Sequence, residues 1–410
     1  MPDTTDTDVL VVGAGVLGTS LAHHLLLRGT GRVTVLEAQT PAAATSGAGA
    51  GFVGLWAAGY ADFLTDTDLR LQQYGIDFYR RLAERNPDIE CRAHGNLYLA
   101  TTEPGWSKWV RPVLGHPLAP SGTRELTPRE VGAITGGVVS PSSVVGGALH
   151  PGGIQVSAGR ATRALAASVR QLGGEIRENT PVRGLILSDG AAIGVLTDDG
   201  PIRARRIVLA CGAWTNRILR PLGHQLPLLR VVATRVVSPP SGVPDTMPTV
   251  MVPDLFGLWL RAHRSGLTWG NGDGYSPAYE LDDAVGTEIR PRYPQLVERL
   301  RERLLPGLRE LVPAHDLRID RWLQGIPCMT PDRRFLAGAV PDVPGLYVLG
   351  GDNEAGVTHG PGLGRLMAEL VDGEDDGTQW LDASPYRLDR FALDRFPTER
   401  DVAAAMPARR

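Results

Sequence analysis

Val9 to Val12 is an unbroken apolar run, as expected of a strand buried on both faces. A glycine-rich turn, Gly13-Ala14-Gly15-Val16-Leu17-Gly18, comes next, and a helical pattern then runs to about Arg28. Arg32 to Glu37, with Val33, Val35 and Leu36, predicts a second strand that ends in an acid. Together these make a complete βαβ unit. A loop rich in glycine, alanine and serine spans Thr40 to Gly54, and Leu69 to Arg85 reads as a helix stopped by Asn86-Pro87. From about Ile89 to His150 the pattern changes to short strands and turns. Ala158 to Leu172 is an amphipathic helix closed by Gly173-Gly174. Strands are predicted over Glu175–Arg177, Val182–Leu187, Ala192–Thr197 and Ile202–Leu209, with Asp189-Gly190 and Asp199-Gly200 as hairpin turns. Leu228 to Val237 and Gly257 to Gly270 alternate as strands, and Leu296 to Leu305 is a helix bounded by prolines. Gly345 to Gly350 holds an apolar strand that runs into a glycine-rich turn and a helix, Gly362 to Val371. The polar tail after Asp372 is expected to wrap the surface.

With βαβ segments at the start, middle and end, and antiparallel stretches between them, the pattern predicts an α/β chain. It has one discontinuous Rossmann-type domain and one inserted domain built on a mixed or antiparallel sheet. The first domain is read as 1-88, 150-215 and 325-375, the second as 89-149 and 216-324, and 376-410 as a C-terminal tail. A length of 410 residues accommodates this at roughly 100–200 residues per domain.

Composition removes several function classes. The net charge is −3, so no global basic field draws the chain to nucleic acid. The basic run Arg299 to Arg309 alternates with Glu298, Glu302 and Glu310, the pattern of a solvated helix. Of 42 basic residues only Lys108 is lysine, and it sits in Trp-Ser-Lys-Trp. A Schiff-base enzyme needs a lysine nucleophile, and a Walker-A loop needs Gly-Lys-Ser/Thr. The three cysteines, Cys91, Cys211 and Cys328, are far apart and show no metal-ligand spacing, so no metal is expected. The acidic N-terminus is unlike a signal peptide, and no apolar run approaches the roughly 18 residues of a membrane span, so a cytosolic location is expected.

The glycine-rich turn carries the chemistry. Gly13 permits the tight turn, Gly15 lets the backbone approach a pyrophosphate, and Gly18 lets helix and strand pack closely. The helix behind it presents bare N–H groups to phosphates. Glu37 ends the second strand, where a carboxylate can hold ribose hydroxyls.

Further blocks follow in order: Ala44-Thr45-Ser46-Gly47-Ala48-Gly49, His150-Pro151-Gly152-Gly153-Ile154, Thr180-Pro181-Val182 and Ala210-Cys211-Gly212-Ala213-Trp214. Met329-Thr330-Pro331-Asp332 and the turn from Gly350-Gly351 through Gly356, Gly360, Gly362 and Gly364 complete the set. In this order the chain resembles the D-amino-acid oxidase family of FAD-dependent oxidoreductases, in its glycine oxidase and sarcosine oxidase branch. The resemblance implies a Rossmann-type FAD-binding domain with an inserted substrate domain. It also implies non-covalent FAD held by Gly13, Gly15, Val16, Leu17, Gly18 and Glu37. Thr45 and Ser46 would meet the phosphates, Val182 the adenine side, and Gly212 and Trp214 the stretch between. Gly356, Val357, Thr358 and His359 would form the turn beside the flavin pyrimidine, where a helix N-terminus favours the negative charge of reduction.

The same resemblance implies cations that hold a substrate carboxylate, and these are missing. The two arginine positions of glycine oxidase fall at Pro327 and Glu354. The sarcosine oxidase lysine and arginine fall at Thr358 and near Gly51. The lysine credited with oxygen reactivity falls at Thr268. Arg261 or Arg334 could hold the carboxylate instead, or the substrate differs and Glu354 meets a cationic or hydroxylated group. Trp259 matches an aromatic substrate wall. Cys328 is near the place of a covalent flavin link in the sarcosine oxidase branch, but with a shorter spacer. The implied reaction is oxidation of the C–N bond of an amino acid or N-substituted glycine, with Glu354, Thr358, Arg261 and Trp259 as candidate substrate-site residues. The electron acceptor is oxygen or, alternatively, a quinone or carrier protein. A non-catalytic flavoprotein, or a subunit requiring a partner chain, is the remaining reading.

Overall fold

The computed structural model describes residues 6–54, 65–117, 119–272, 275–279, 292–373, 380–392 and 395–406. Parts of the expected tail and of the expected inserted domain therefore lie outside the described residues. Thr7–Val12 sits inside an eight-stranded sheet, parallel to both Val33–Leu36 and Gly200–Leu209. Leu346–Gly350 extends the parallel set on one side and Glu175–Arg177 on the other. Period-two alternation then divides the first strand between two cores. Val9 and Val11 pack with the helices of one face, whereas Leu10 and Val12 pack with Ile207, Leu209 and Leu346 on the other. A strand buried on both faces has no polar position to spare, which is why its sequence is continuously apolar.

The helix behind the glycine-rich turn, Val16–Arg28, lies against Gly356–Asp372. The Gly356–Asp372 helix begins six residues before its predicted start and carries Pro361 inside it. Proline lacks an N–H, so the carbonyl four residues earlier, at Val357, loses its helical partner. The Tyr79 hydroxyl donates to that carbonyl at 2.9 Å. Tyr79 comes from the Asp66–Arg85 helix, so a distant aromatic residue makes the proline tolerable. Gly364 has no room for a side chain, because a Cβ there would meet Ser20 and Leu21 of the facing helix at 2.6–2.8 Å.

A second, ten-stranded sheet combines Asn96–Ala100, Arg124–Leu126 and Gly146–His150 with strands from Leu229 to Met329. It therefore continues past residue 324 through Arg321–Gly325 and Cys328–Met329, both paired to Leu229–Val237. The stretch expected to be one strand from Gly257 to Gly270 is a hairpin of Leu258–His263 and Gly266–Asn271. Its turn residues, Arg264 and Ser265, have φ of 50° and 60°. Left-handed turns are signalled by Asn-Gly or Asp-Gly, and an Arg-Ser pair gives no such signal.

The tail packs against both halves. Tyr386 donates to Asp68 at 2.5 Å, and Glu399 grips Arg230 of the second sheet through Nε and Nη2, each at 2.9 Å. Arg230 and Glu399 side chains are only 7% and 11% exposed. Removing one member of a buried pair strands the other charge. Glu399→Ala is therefore expected to lower stability by about 3 kcal/mol, read from the urea unfolding midpoint.

Candidate cofactor and substrate site

One cavity, about 1630 Å³ with its open mouth, is lined by residues of both sheets. At one end stand Gly13, Gly15, Val16, Leu17, Glu37, Thr45 and Ser46. Gly13 has φ of 108°, and a Cβ there would lie 2.5 Å from the Ala210 carbonyl oxygen. Gly18 is set back from the wall, where a side chain would run into the Gly13 carbonyl. The turn thus keeps its backbone bare toward the cavity while the helix is drawn tight against the strand. The Val16 N–H donates to Ser46 Oγ at 2.9 Å, and the Thr45 hydroxyl accepts from the Ile326 N–H at 3.0 Å. The Glu37 carboxylate accepts from the N–H groups of Ala14 and Gln39, at 2.8 and 2.9 Å. Burial raises its pKa, an effect the two N–H groups oppose.

Val182, Gly212, Trp214 and Arg217 line the same cavity. Gly212 faces open space, and Arg217 presents a buried Nη1 that has no hydrogen-bond partner. A buried guanidinium nitrogen without a partner calls for an acceptor from a ligand. Gly356 and Val357, the first residues of the Gly356–Asp372 helix, close the far wall together with Asp352 and Glu354. Phe52, Trp259, Asn271, Tyr275 and Arg235 complete it, with the Phe52 and Trp259 rings 5.5 Å apart. Such a wall combines phosphate-facing backbone, an acid, aromatic surface and a helix N-terminus.

Other expected site residues lie elsewhere. Thr358 is buried with its hydroxyl 3.5 Å from the Phe52 carbonyl. His359 is buried beside the Phe335 ring, with Nδ1 3.2 Å from the Ala355 carbonyl. Neither lines the cavity. Arg261 is buried just behind the wall and donates to the carbonyls of Ala50 and Ala262, at 2.6 and 3.0 Å. Arg334 is likewise off the wall, in a turn where its N–H donates to Asp332. Arg235, which the sequence pattern did not single out, lines the cavity close to Trp259. Its strand, Leu229–Val237, carries two arginines, Arg230 and Arg235, and nothing in it shows which face each takes until the register is fixed. Cys328 is buried in a strand pair and does not itself line the cavity, and burial pushes its thiol pKa well up. Cys211 lines the cavity with its thiol pushed up to about 12, mainly by burial. Among the described residues no group of three or more histidine, cysteine or acidic side chains could hold a metal ion. No helix among them is long and apolar enough to cross a membrane.

Residues 8–370 match the family described as FAD dependent oxidoreductase. The chain belongs to that family. It is therefore an FAD-dependent enzyme. It is 30% identical over 407 residues to the 4-methylaminobutanoate oxidase (formaldehyde-forming) of Paenarthrobacter nicotinovorans, covering 95% of this chain but 46% of that protein. The chain thus spans less than half of that relative. With glycine oxidase of Pseudomonas aeruginosa the identity is 28%, over 92% of this chain and 97% of the relative. The crystal structure of glycine oxidase from Geobacillus kaustophilus superimposes with a TM-score of 0.76 at 26% identity, covering 94% of this chain and 99% of that one. L-proline dehydrogenase from P. horikoshii superimposes at 0.78 with 22% identity, over 94% and 98% of the two chains, a likeness of fold.

Two outcomes follow for the family member in solution. Cys328 is fully buried and does not line the cavity, so acid precipitation is expected to release all flavin into the supernatant, and Cys328→Ala is expected to retain FAD; flavin absorbance in pellet and supernatant checks both. Asp352 is fully buried, and desolvation raises its pKa to about 6 against the opposing N–H groups of Glu354 and Cys328. A raised acid favours the fold while protonated, so this contribution is complete below about pH 4 and is lost as pH rises through about 6. Two units correspond to roughly 3 kcal/mol. Urea unfolding of the flavin-free protein between pH 4 and 7.5 is expected to show this loss, and Asp352→Asn to flatten it.

Proposed function

We propose that this enzyme oxidises the C–N bond of an amino acid or an N-substituted glycine, with dioxygen as the electron acceptor and hydrogen peroxide as its product. The observation that carries the reading is one cavity that joins the glycine-rich turn to a pocket walled by Arg235, Trp259, Phe52 and Glu354. In this proposal Gly13, Gly15, Val16 and Leu17 face the pyrophosphate, Glu37 the adenosine ribose, and Val182, Gly212 and Trp214 the adenosine half. Thr45 and Ser46 brace the turn that receives the phosphates. When bound, FAD supplies a two-electron acceptor for the hydride on the carbon beside the amine, and the resulting imine is hydrolysed by water.

The protein's own part is orientation and electrostatics. Phe52 and Trp259 present apolar faces that exclude water from the reacting carbon. The N-terminus of Gly356–Asp372 directs its positive dipole end at the cavity and stabilises negative charge there. Glu354 reaches the wall from two successive left-handed residues, Asn353 at φ 44° and itself at φ 69°. Non-glycine residues hold such angles only where the surroundings enforce them. Its carboxylate is placed to meet the substrate's amine or a hydroxyl near it. Glycine and sarcosine, which place little beyond the amine, are compatible with the pocket, as are longer N-alkyl amino acids.

A dehydrogenase that passes electrons to a quinone or carrier protein is the second reading, and one observation favours it. Thr268 is fully buried with its hydroxyl on the Val236 carbonyl at 2.8 Å, so that position offers no cation. Anaerobic mixing with a panel of amino acids and N-alkyl glycines is expected to bleach the flavin with at least one of them. Air is then expected to restore the colour with stoichiometric peroxide. Turnover with a dye but none with oxygen overturns the oxidase reading, and no bleaching with any of the panel overturns the substrate class.

A further inference from the structure

Arg235, Gly270 and Trp259 face one another across three neighbouring strands. Arg261 and Thr268 form the adjacent pair, two residues along, so their side chains share that face of the sheet. Gly270 provides the space the Trp259 indole fills, since a Cβ there would lie 2.7 Å from the ring. Trp259 thus lies flat over the central strand, with an arginine on each flanking strand.

Both guanidiniums dock on one short segment. Arg235 Nη1 donates to the Gly49 carbonyl at 2.9 Å, and Arg261 Nε to the Ala50 carbonyl at 2.6 Å. Carbonyls satisfy N–H groups but do not neutralise charge. The surrounding titratable groups report the resulting field. Arg261 has its pKa pushed down to about 9, first by burial and then by Arg235 and Arg92, against a small opposing effect of Glu90. His263 is pushed down to about 3 by burial and by Arg261, Arg235, Arg321 and Arg264. Arg92 and Glu90 are engaged elsewhere, with Asp245 at 2.9 Å and Arg160 at 3.0 Å. The sheet wall is therefore strongly positive, and Arg235 is the arginine of this group that lines the cavity. The helix-side wall carries the acids Glu354 and Asp352. A cavity with a cationic wall and an acidic wall selects a bipolar molecule.

We propose that Arg235 holds the carboxylate of the substrate, and that the substrate lies across the pocket with its carboxylate on the sheet wall and its amine toward Glu354. Arg261 acts behind it as a positioning residue that fixes the Ala50 carbonyl and adds to the field. The assignment rests on the amine-oxidising reading above. It replaces the missing family cations by an arginine on a strand of the second sheet, with a planar fork suited to a carboxylate.

The test is a titration of the FAD-loaded enzyme with cyclopentanecarboxylate, which has no amine to oxidise, followed by the shift of the flavin absorbance. Cyclopentylmethanol serves as the neutral control. Wild type is expected to show a saturable shift with the carboxylate and at least tenfold weaker binding of the alcohol. Arg235→Gln is expected to bind the carboxylate at least tenfold more weakly while retaining FAD and its melting temperature, and to raise KM for the oxidised substrate more than it lowers kcat. Equal carboxylate affinity in Arg235→Gln and wild type, or no carboxylate binding in wild type, overturns the assignment. If loosening Gly49 unfolds that variant, Arg235→Lys decides: it keeps the charge without the fork, so affinity weakened at least threefold supports the assignment and unchanged affinity overturns it. Failure of every amine to bleach the flavin sinks the activity instead, and leaves the carboxylate titration to judge Arg235.

Discussion

A side chain at Gly18 would begin inside the carbonyl of Gly13, and a side chain at Gly13 would begin 2.5 Å from the Ala210 carbonyl. These two close approaches bring three pieces of backbone together at one point: the end of the first strand, the start of the first helix, and the end of the Gly200–Leu209 strand. The cavity opens there because nothing larger than backbone can occupy the junction. Every other wall residue is placed relative to it. Ser46 reaches Val16 N–H from one side, Glu37 reaches Ala14 N–H from another, and Gly212 comes three residues after the end of the Gly200–Leu209 strand.

The opposite end rests on a different compromise. The helix Gly356–Asp372 must carry glycines to approach the first helix and must also start at the cavity, and it includes Pro361. The Tyr79 hydroxyl supplies the donor that the Val357 carbonyl lacks, so the first turn survives with Val357 on the cavity wall. The preceding residues bear the strain, with Asn353 and Glu354 both left-handed and Asp352 buried as a raised acid. Asp352 accepts from the Glu354 and Cys328 N–H groups, and Asn353 Oδ1 accepts from the Thr330 N–H. These bonds tie the turn to the Thr-Pro-Asp segment and fix where the Glu354 carboxylate emerges.

Local sequence carried much of the fold. Parallel strands buried on both faces are legible because they leave no polar position, and the glycine-rich turn is legible because steric exclusion demands glycine. Glu37 was readable as the acid at the end of the second strand. The hairpin at Arg264-Ser265 was not, because the chain adopts left-handed angles there without the residues that signal them. The early start of the Gly356–Asp372 helix was hidden for a similar reason: proline and glycine argue against helix until Tyr79 and the facing helix are in place. His359 and Thr358 were readable as members of a turn, yet helical rotation directs their side chains away from the cavity while Gly356 and Val357 remain on it.

The sequence by itself determined the dinucleotide turn, because that follows from short-range steric demands that only certain residues meet; the family and the cofactor class followed from the resemblance of its ordered motif blocks. It also showed that the expected cations were absent from their expected places. Only the tertiary structure decided which arginine of the second sheet lines the pocket. Arg235 and Arg261 are distant in sequence from Gly49 and Ala50, and strand register alone brings them to the same face beside Trp259. A shift of one residue would turn those charges to the other side of the sheet. Register is a property of paired strands, so no single strand could have announced which of its arginines faces the cavity.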